Sequence, residues 1–251
     1  MSDKHTETVM EKEKQPEKKV KVKKSKPITI KANKKGRHIS GIMNFLRIVI
    51  IPFYYLIKPF KYIGKRKIKD GACIYICNHY TVFDCIYVAN TTWECVHFVA
   101  KKPIFEAPIL GPFARSIKAI SANRDGSDVR TLMNCLKCLK NGEKVAIFPE
   151  GTRNKTNEVM LPFYHGAAIM AIKAKAPIVP MLIYKKPKVF RKTHIVMGEP
   201  FELSEYYDRK LSDEEMEQAN QRLWDVLMEL REQHTQFLEN KKKKKNKNKA
   251  Q

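Results

Sequence analysis

Five short segments read as strands, and several are apolar on both faces, which limits the fold more than any other feature. They are "GACIYIC" (71–77), "CVHFVA" (95–100), "KVAIFP" (144–149), "APIVPMLIY" (176–184) and "THIVMG" (193–198). A strand facing water on one side alternates apolar with polar residues. One covered on both sides does not, and such strands belong to largely parallel sheets. Helical periods lie between them, at about 83–91, 128–141 and 165–175. A further helix begins at a capping box, Ser212 with Glu215, and shows Met216, Ala219, Leu223, Val226, Leu227 and Leu230 on one face. The alternation predicts an α/β fold, a mixed and largely parallel sheet covered by helices, with its site in the loops at strand ends.

Charge divides the chain further. The net charge is +23 over 251 residues. Residues 1–41 carry 13 Lys/Arg against 5 Asp/Glu, and residues 241–251 carry seven lysines and no acid. Both segments have little apolar surface to bury, so 1–41 reads as a disordered basic leader and 241–251 as a disordered Lys-rich tail. Such tails attract a polyanion, for example an anionic membrane surface. The folded domain is then 67–240. The N-terminus "MSDKHTETVM" has no apolar stretch for a signal peptide, and six cysteines are expected as free thiols in a reducing compartment. No metal is expected: Cys135 and Cys138 sit in "DVRTLMNCLKCLKNG", a helical pattern, and no second Cys-x-x-Cys pair exists.

Residues 42–66 form the most apolar region. The charge-free run Ile48 to Ile57 is ten residues long, against about 20 for a spanning helix. Pro52 and Pro59 are expected to break the segment into short pieces. Its aromatics, mixed with Lys58, Lys61 and Lys65, suit helices lying in the lipid headgroup region.

Two stretches carry chemistry. "NHYTVFD" (78–84) follows the first core strand and places His79 and Asp84 in one strand-to-helix loop. An imidazole titrates near neutral pH and can take a proton from an alcohol, while a carboxylate on its other nitrogen fixes the tautomer. The loop has no serine, so the nucleophile can be a substrate hydroxyl. "FPEGTRN" (148–154) follows another core strand, where Gly151 frees the turn and Arg153 offers a planar fork for phosphate. Lys101, Lys102 and Arg124 add cations near strand ends, the last after a short strand. Together these residues suggest a phosphorylated substrate with a reacting hydroxyl.

In order and spacing, "NHYTVFD", "FPEGTRN" and "APIVPMLI" resemble the 1-acylglycerol-3-phosphate acyltransferases, the lysophosphatidic acid acyltransferases of glycerolipid synthesis. The resemblance covers about residues 70–200. It implies catalytic roles for His79 and Asp84, and acceptor binding by Glu150, Gly151, Thr152 and Arg153, with Arg124 as a further basic residue. The implied reaction moves a fatty acyl chain from a thioester to the sn-2 hydroxyl of 1-acylglycerol 3-phosphate (lysophosphatidic acid), giving phosphatidic acid. No cofactor is implied, only acyl-CoA or acyl carrier protein as co-substrate. Backbone N–H groups near Gly151 are the candidate oxyanion site. The protein is then expected on the cytoplasmic face of the cell membrane, peripheral or monotopic. Two departures stand out: Lys118 where the family often has glycine, and Tyr164-His165 in "PFYHGAA" where it often has Phe-Lys-x-Gly.

Two alternatives remain open at this level. One is a related acyltransferase acting on glycerol 3-phosphate or another lysophospholipid. The other, non-enzymatic, is a basic nucleic-acid-binding protein. Against it, the charge lies mostly in the tails, and the core has no helix-turn-helix or RNP signal.

Overall fold

Every residue of strand Cys73–Cys77 is buried, because it has a strand on each side and helices on both faces. The structure is a computed structural model that describes residues 41–65, 71–122 and 129–248. The basic leader, apart from its last residue, and Arg124 lie outside the described residues.

In chain order the elements are α1 (Gly41–Ile57), β1 (Phe60–Ile63), β2 (Cys73–Cys77), α2 (Asp84–Ala89), β3 (Val96–Lys101), α3 (Lys102–Glu106), α4 (Leu110–Ser116), β4 (Ile120–Ala122), α5 (Val129–Lys140), β5 (Lys144–Ile147), α6 (Gly166–Ala174), β6 (Ile178–Ile183), β7 (Thr193–Met197) and α7 (Asp213–Lys247). The seven strands form one sheet in the order β1-β7-β6-β2-β5-β3-β4. All neighbours are parallel except β6 and β7. The expected mixed, largely parallel, helix-covered sheet is therefore present.

The strand period of two splits the core into layers. Ile74 and Ile76 pack with Cys135, Leu139, Ala168, Leu223 and Leu227, under α5, α6 and α7. Cys73, Tyr75 and Cys77 point the other way and pack with Met43, Tyr87 and Val88, under α1 and α2. The predicted capping box closes: the Ser212 Oγ accepts from the Glu215 N–H at 3.2 Å, and the Ser212 N–H donates to Glu215 Oε2 at 3.0 Å. Helix α7 continues through Lys247, past the expected domain boundary at 240.

The segment 42–66 differs from expectation in two ways. α1 passes through Pro52 as a single 17-residue helix; only Lys58-Pro59 ends it, since the residue before proline avoids helical backbone. Residues Phe60–Ile63 form a strand paired with β7 rather than helix. Several of the aromatics are internal. The Tyr54 and Tyr87 hydroxyls lie 2.9 Å apart, Tyr62 donates to the Tyr87 carbonyl at 2.6 Å, and the Phe60 and Tyr87 rings meet edge-on at 5.2 Å. These contacts clamp α1 and β1 onto α2.

Arg47 is the second clamp. It is one of two buried residues of α1. Its guanidinium donates to the carbonyls of Ala89 (2.9 Å), Trp93 (3.0 Å) and Glu94 (2.9 Å), and to the Asn44 side chain. Replacing it with methionine leaves three carbonyls without this donor. The expected loss is about 2–3 kcal/mol, with α1 the first element to detach. Urea unfolding and limited proteolysis after α1 check this; an unchanged midpoint means Arg47 holds nothing.

Candidate active site

Because β2, β5, β3 and β4 are parallel neighbours, the loops that follow them leave the same edge of the sheet. β2 leads into the His79 loop and β5, immediately beside it, leads into the Glu150–Arg153 loop. The two stretches picked out of the sequence are thus adjacent, although about seventy residues separate them in the chain.

The His79 loop is built around Asp84, which is fully buried. Asp84 Oδ2 accepts from the backbone N–H groups of Tyr80 (2.6 Å) and Thr81 (2.8 Å), and Oδ1 accepts from the Thr81 hydroxyl at 2.7 Å. His79 Nδ1 lies 2.9 Å from Oδ2. An ionised carboxylate only accepts, so Nδ1 carries the ring proton and Nε2 is left as an acceptor. Nε2 has no hydrogen-bond partner among the described residues, and the His79 side chain is 18% exposed. The ring stacks on Phe148 with centroids 4.1 Å apart and planes at 18°. The arrangement is one that can take a proton at Nε2: the ring is oriented from behind and open in front.

The second loop is tied to the first through the backbone. Glu150 is 1% exposed. Its Oε1 accepts from the His79 N–H at 2.7 Å and its Oε2 from the Leu161 N–H at 2.8 Å. Burial pushes its carboxyl up from the ordinary range, and these two donors, with His79 itself, pull against that. The Asn154 N–H donates to the His79 carbonyl at 2.6 Å, which sets Arg153 one residue from a direct bond to His79. Gly151 has φ +59°, and a Cβ there would lie 2.8 Å from the Tyr164 ring. The left-handed turn favours glycine here, and any larger residue would also displace the exposed Tyr164 ring.

The predicted site residues therefore divide. His79 and Asp84 meet directly. Arg153 and Thr152 are exposed beside them, and neither makes a hydrogen bond among the described residues. Glu150, expected at the acceptor, commits Oε1 to the His79 loop and Oε2 to Leu161 further along its own loop, because a buried carboxylate needs donors and the backbone supplies them. Gly151 gives its own N–H to the Phe148 carbonyl at 2.9 Å, which leaves Thr152 and Arg153 as the nearby backbone donors. Lys101 ends β3 and Lys102 begins α3. Both are exposed at the same sheet edge, two strands from β2 and so roughly 10 Å away. Lys102 lies 4.0 Å from Glu106.

Several contributors were not singled out from the sequence. Phe148 stacks on the imidazole, and Asn78 is buried with its amide bonded to both the N–H and the carbonyl of Ile183. Tyr80 donates to the Val159 carbonyl at 2.8 Å. Phe148 and Asn78 lay inside the quoted motifs, which was the signal available. The two departures also find their places. Lys118 has φ +55°, the left-handed backbone that glycine adopts freely, in the turn after α4. His165 pairs with Glu217 at 2.7 Å on the surface.

A family model described as acyltransferase matches residues 59–184. A 1-acyl-sn-glycerol-3-phosphate acyltransferase of Helicobacter pylori is 30% identical over 187 residues, covering 64% of this chain and 79% of that protein. The chain belongs to the acyltransferase family. The Bacillus subtilis protein of the same name is 32% identical over 117 residues, 44% of this chain and 57% of that one. In fold, the acyltransferase is similar to the crystal structure of the 1-acyl-sn-glycerophosphate (LPA) acyltransferase PlsC from Thermotoga maritima, at TM-score 0.61 and 22% identity, covering 77% of this chain and 80% of that one. The chain is an O-acyltransferase of phospholipid synthesis, and the matched region contains both loops of the site.

Proposed function

We propose that this acyltransferase moves a fatty acyl chain from acyl-CoA or acyl carrier protein to the sn-2 hydroxyl of 1-acylglycerol 3-phosphate, forming phosphatidic acid. The observation that carries this reading is the open Nε2 of His79, on a loop bonded through its backbone to the loop that carries the exposed Arg153. Arg153 grips the acceptor phosphate bidentately. Nε2 takes the proton of the acceptor hydroxyl as its oxygen attacks the thioester carbonyl, and the imidazolium is stabilised by Asp84. The tetrahedral oxyanion is met by the N–H of Thr152 or Arg153. Collapse breaks the C–S bond, the new ester remains, and the thiolate leaves with the proton from His79. The relatives named for this activity support the choice of acceptor.

The test is purified protein with lysophosphatidic acid, glycerol 3-phosphate and lysophosphatidylcholine, each with acyl-CoA and with acyl carrier protein. Phosphatidic acid from the first acceptor is expected; turnover of only another acceptor sinks the assignment. Arg153→Ala is expected to raise the acceptor KM about 10- to 100-fold, the loss of roughly 1.5–3 kcal/mol from a charge-assisted contact, with donor KM unchanged. An equal change for both substrates removes the phosphate role.

We further propose that the enzyme docks on the cytoplasmic face of the cell membrane as a peripheral or monotopic protein. No helix among the described residues is long and apolar enough to cross a membrane. α1 leaves Phe45, Ile48, Phe53 and Leu56 exposed, the last at 71%. The Phe190 N–H donates to the Ile57 carbonyl at 2.7 Å, which adds the exposed Phe190 to this surface. Lys58 lies over the Phe83 ring, giving the surface a cation for anionic headgroups. Phe53→Glu with Leu56→Glu is expected to weaken co-sedimentation with anionic vesicles; undiminished binding excludes α1 as the docking element.

A further inference from the structure

At the opposite edge of the sheet from His79, three donor groups of different chemistry converge. His97 is the second residue of β3, Cys138 lies in the last turn of α5, and Glu143 directly precedes β5. One ligand atom from each, a ring nitrogen, a sulfur and a carboxylate oxygen, all lie within 4.8 Å of one another. The spacing follows from how α5 ends. Gly142 takes φ +82°. Its N–H bonds to the Leu139 carbonyl, and the Glu143 N–H bonds to the Cys138 carbonyl, both at 3.0 Å. This pair of bonds is a Schellman closure, and it folds Glu143 back over Cys138.

The ring of His97 is held from behind. Its Nδ1 is 2.9 Å from the Lys118 carbonyl oxygen, which only accepts, so Nδ1 carries the proton of the neutral ring. Nε2 is then a bare lone pair. It is buried, with no hydrogen-bond partner, in a residue that is 5% exposed. Glu143 Oε2 lies 3.3 Å from it, and the Glu143 carboxylate also takes a side-chain hydrogen bond from the Cys138 thiol. A cation at Nε2 would give this buried lone pair the partner it lacks. An imidazole whose far nitrogen donates to a backbone carbonyl is also the usual form of a metal ligand.

We propose that His97, Cys138 and Glu143 bind a thiophilic divalent cation of the zinc class, through His97 Nε2, Cys138 Sγ and a Glu143 carboxylate oxygen, with water in the fourth position. One nitrogen, one sulfur and one oxygen suit tetrahedral zinc and not calcium or magnesium, which require oxygen ligands. Binding expels the thiol proton of Cys138 to solvent, so thiolate and carboxylate balance the two positive charges. The site joins β3 to the turn between α5 and β5. Through the Lys118 carbonyl it also fixes the turn after α4. It does not include Cys135, which faces the core. Its place at the amino edge of β3 and β5 makes it a structural site, remote from acyl transfer.

The experiment uses the full chain, stripped with a chelator and titrated with Co²⁺. Wild type is expected to develop a thiolate-to-cobalt charge-transfer band with tetrahedral d–d bands, which Zn²⁺ then displaces. Zn²⁺ is expected to raise the thermal midpoint of wild type. Cys138→Ser and His97→Gln are expected to lose the band and the thermal shift, and Cys85→Ser to keep both. Losing one ligand of three should weaken binding by at least the roughly 10–100-fold that outer partners alone are worth. Glu143→Gln, at the more exposed ligand, carries the same expectation if either other variant fails to fold. No band at saturating Co²⁺, or a band that survives in Cys138→Ser or in Glu143→Gln at unchanged affinity, overturns the proposal. In that case a second proton on His97, pairing with Glu143, fills the space instead.

Discussion

Replacing His79 with alanine is expected to lower kcat by about 10²–10⁴-fold, the contribution of a positioned general base, while the protein stays folded. The loop does not need the ring. Asp84 keeps the N–H groups of Tyr80 and Thr81 and the Thr81 hydroxyl as donors. The His79 backbone keeps its bonds to Glu150 and Asn154. What is lost is the Nδ1 contact with Asp84 and the stacking on Phe148. The measurement is thiol release from acyl-CoA in the presence of lysophosphatidic acid, beside the circular dichroism midpoint. Turnover that persists near the wild-type rate refutes the base assignment, whereas a lowered midpoint with lost turnover marks His79 as structural.

Glu150→Ala is expected to act differently. It leaves the partly buried N–H groups of His79 and Leu161 without their acceptor, at about 1–3 kcal/mol each. A fall of about 2–4 kcal/mol in unfolding free energy is expected, together with a drop in kcat, because the loop carrying Nε2 loses one of its two ties to the neighbouring loop. Had Glu150 touched the acceptor, the same change would raise acceptor KM and leave stability intact. Urea unfolding and steady-state kinetics on one preparation separate the two roles. A KM effect with an unchanged unfolding midpoint returns Glu150 to the acceptor site.

The candidate site was legible where its parts are close in sequence. His79 and Asp84 share one loop, and a five-residue separation at a strand-to-helix turn suffices to bring their side chains together. Glu150 shows where such reading stops. It sits in a motif beside Arg153, and the family resemblance implied a shared target. In the fold it points inward, to a partner 71 residues away in the chain. Tyr54, Phe60 and Tyr62 of the apolar segment show the same limit, since they pack on Tyr87. Aromatics and cations mixed along a chain have the same composition whether they face lipid or one another, and only packing against α2 separates the two cases.

By itself, the sequence determined which stretches are strands covered on both faces, where α7 begins, and that an imidazole and a carboxylate share a loop. Each depends on neighbours within a few residues: a period of two, a capping box, a tight turn. The tertiary structure alone decided that β2 lies between β5 and β6, and so that the His79 loop meets the Arg153 loop at one sheet edge while His97, Cys138 and Glu143 meet at the other. Strand order and register are fixed by burying two opposite faces at once, a condition on the whole chain that no local window contains.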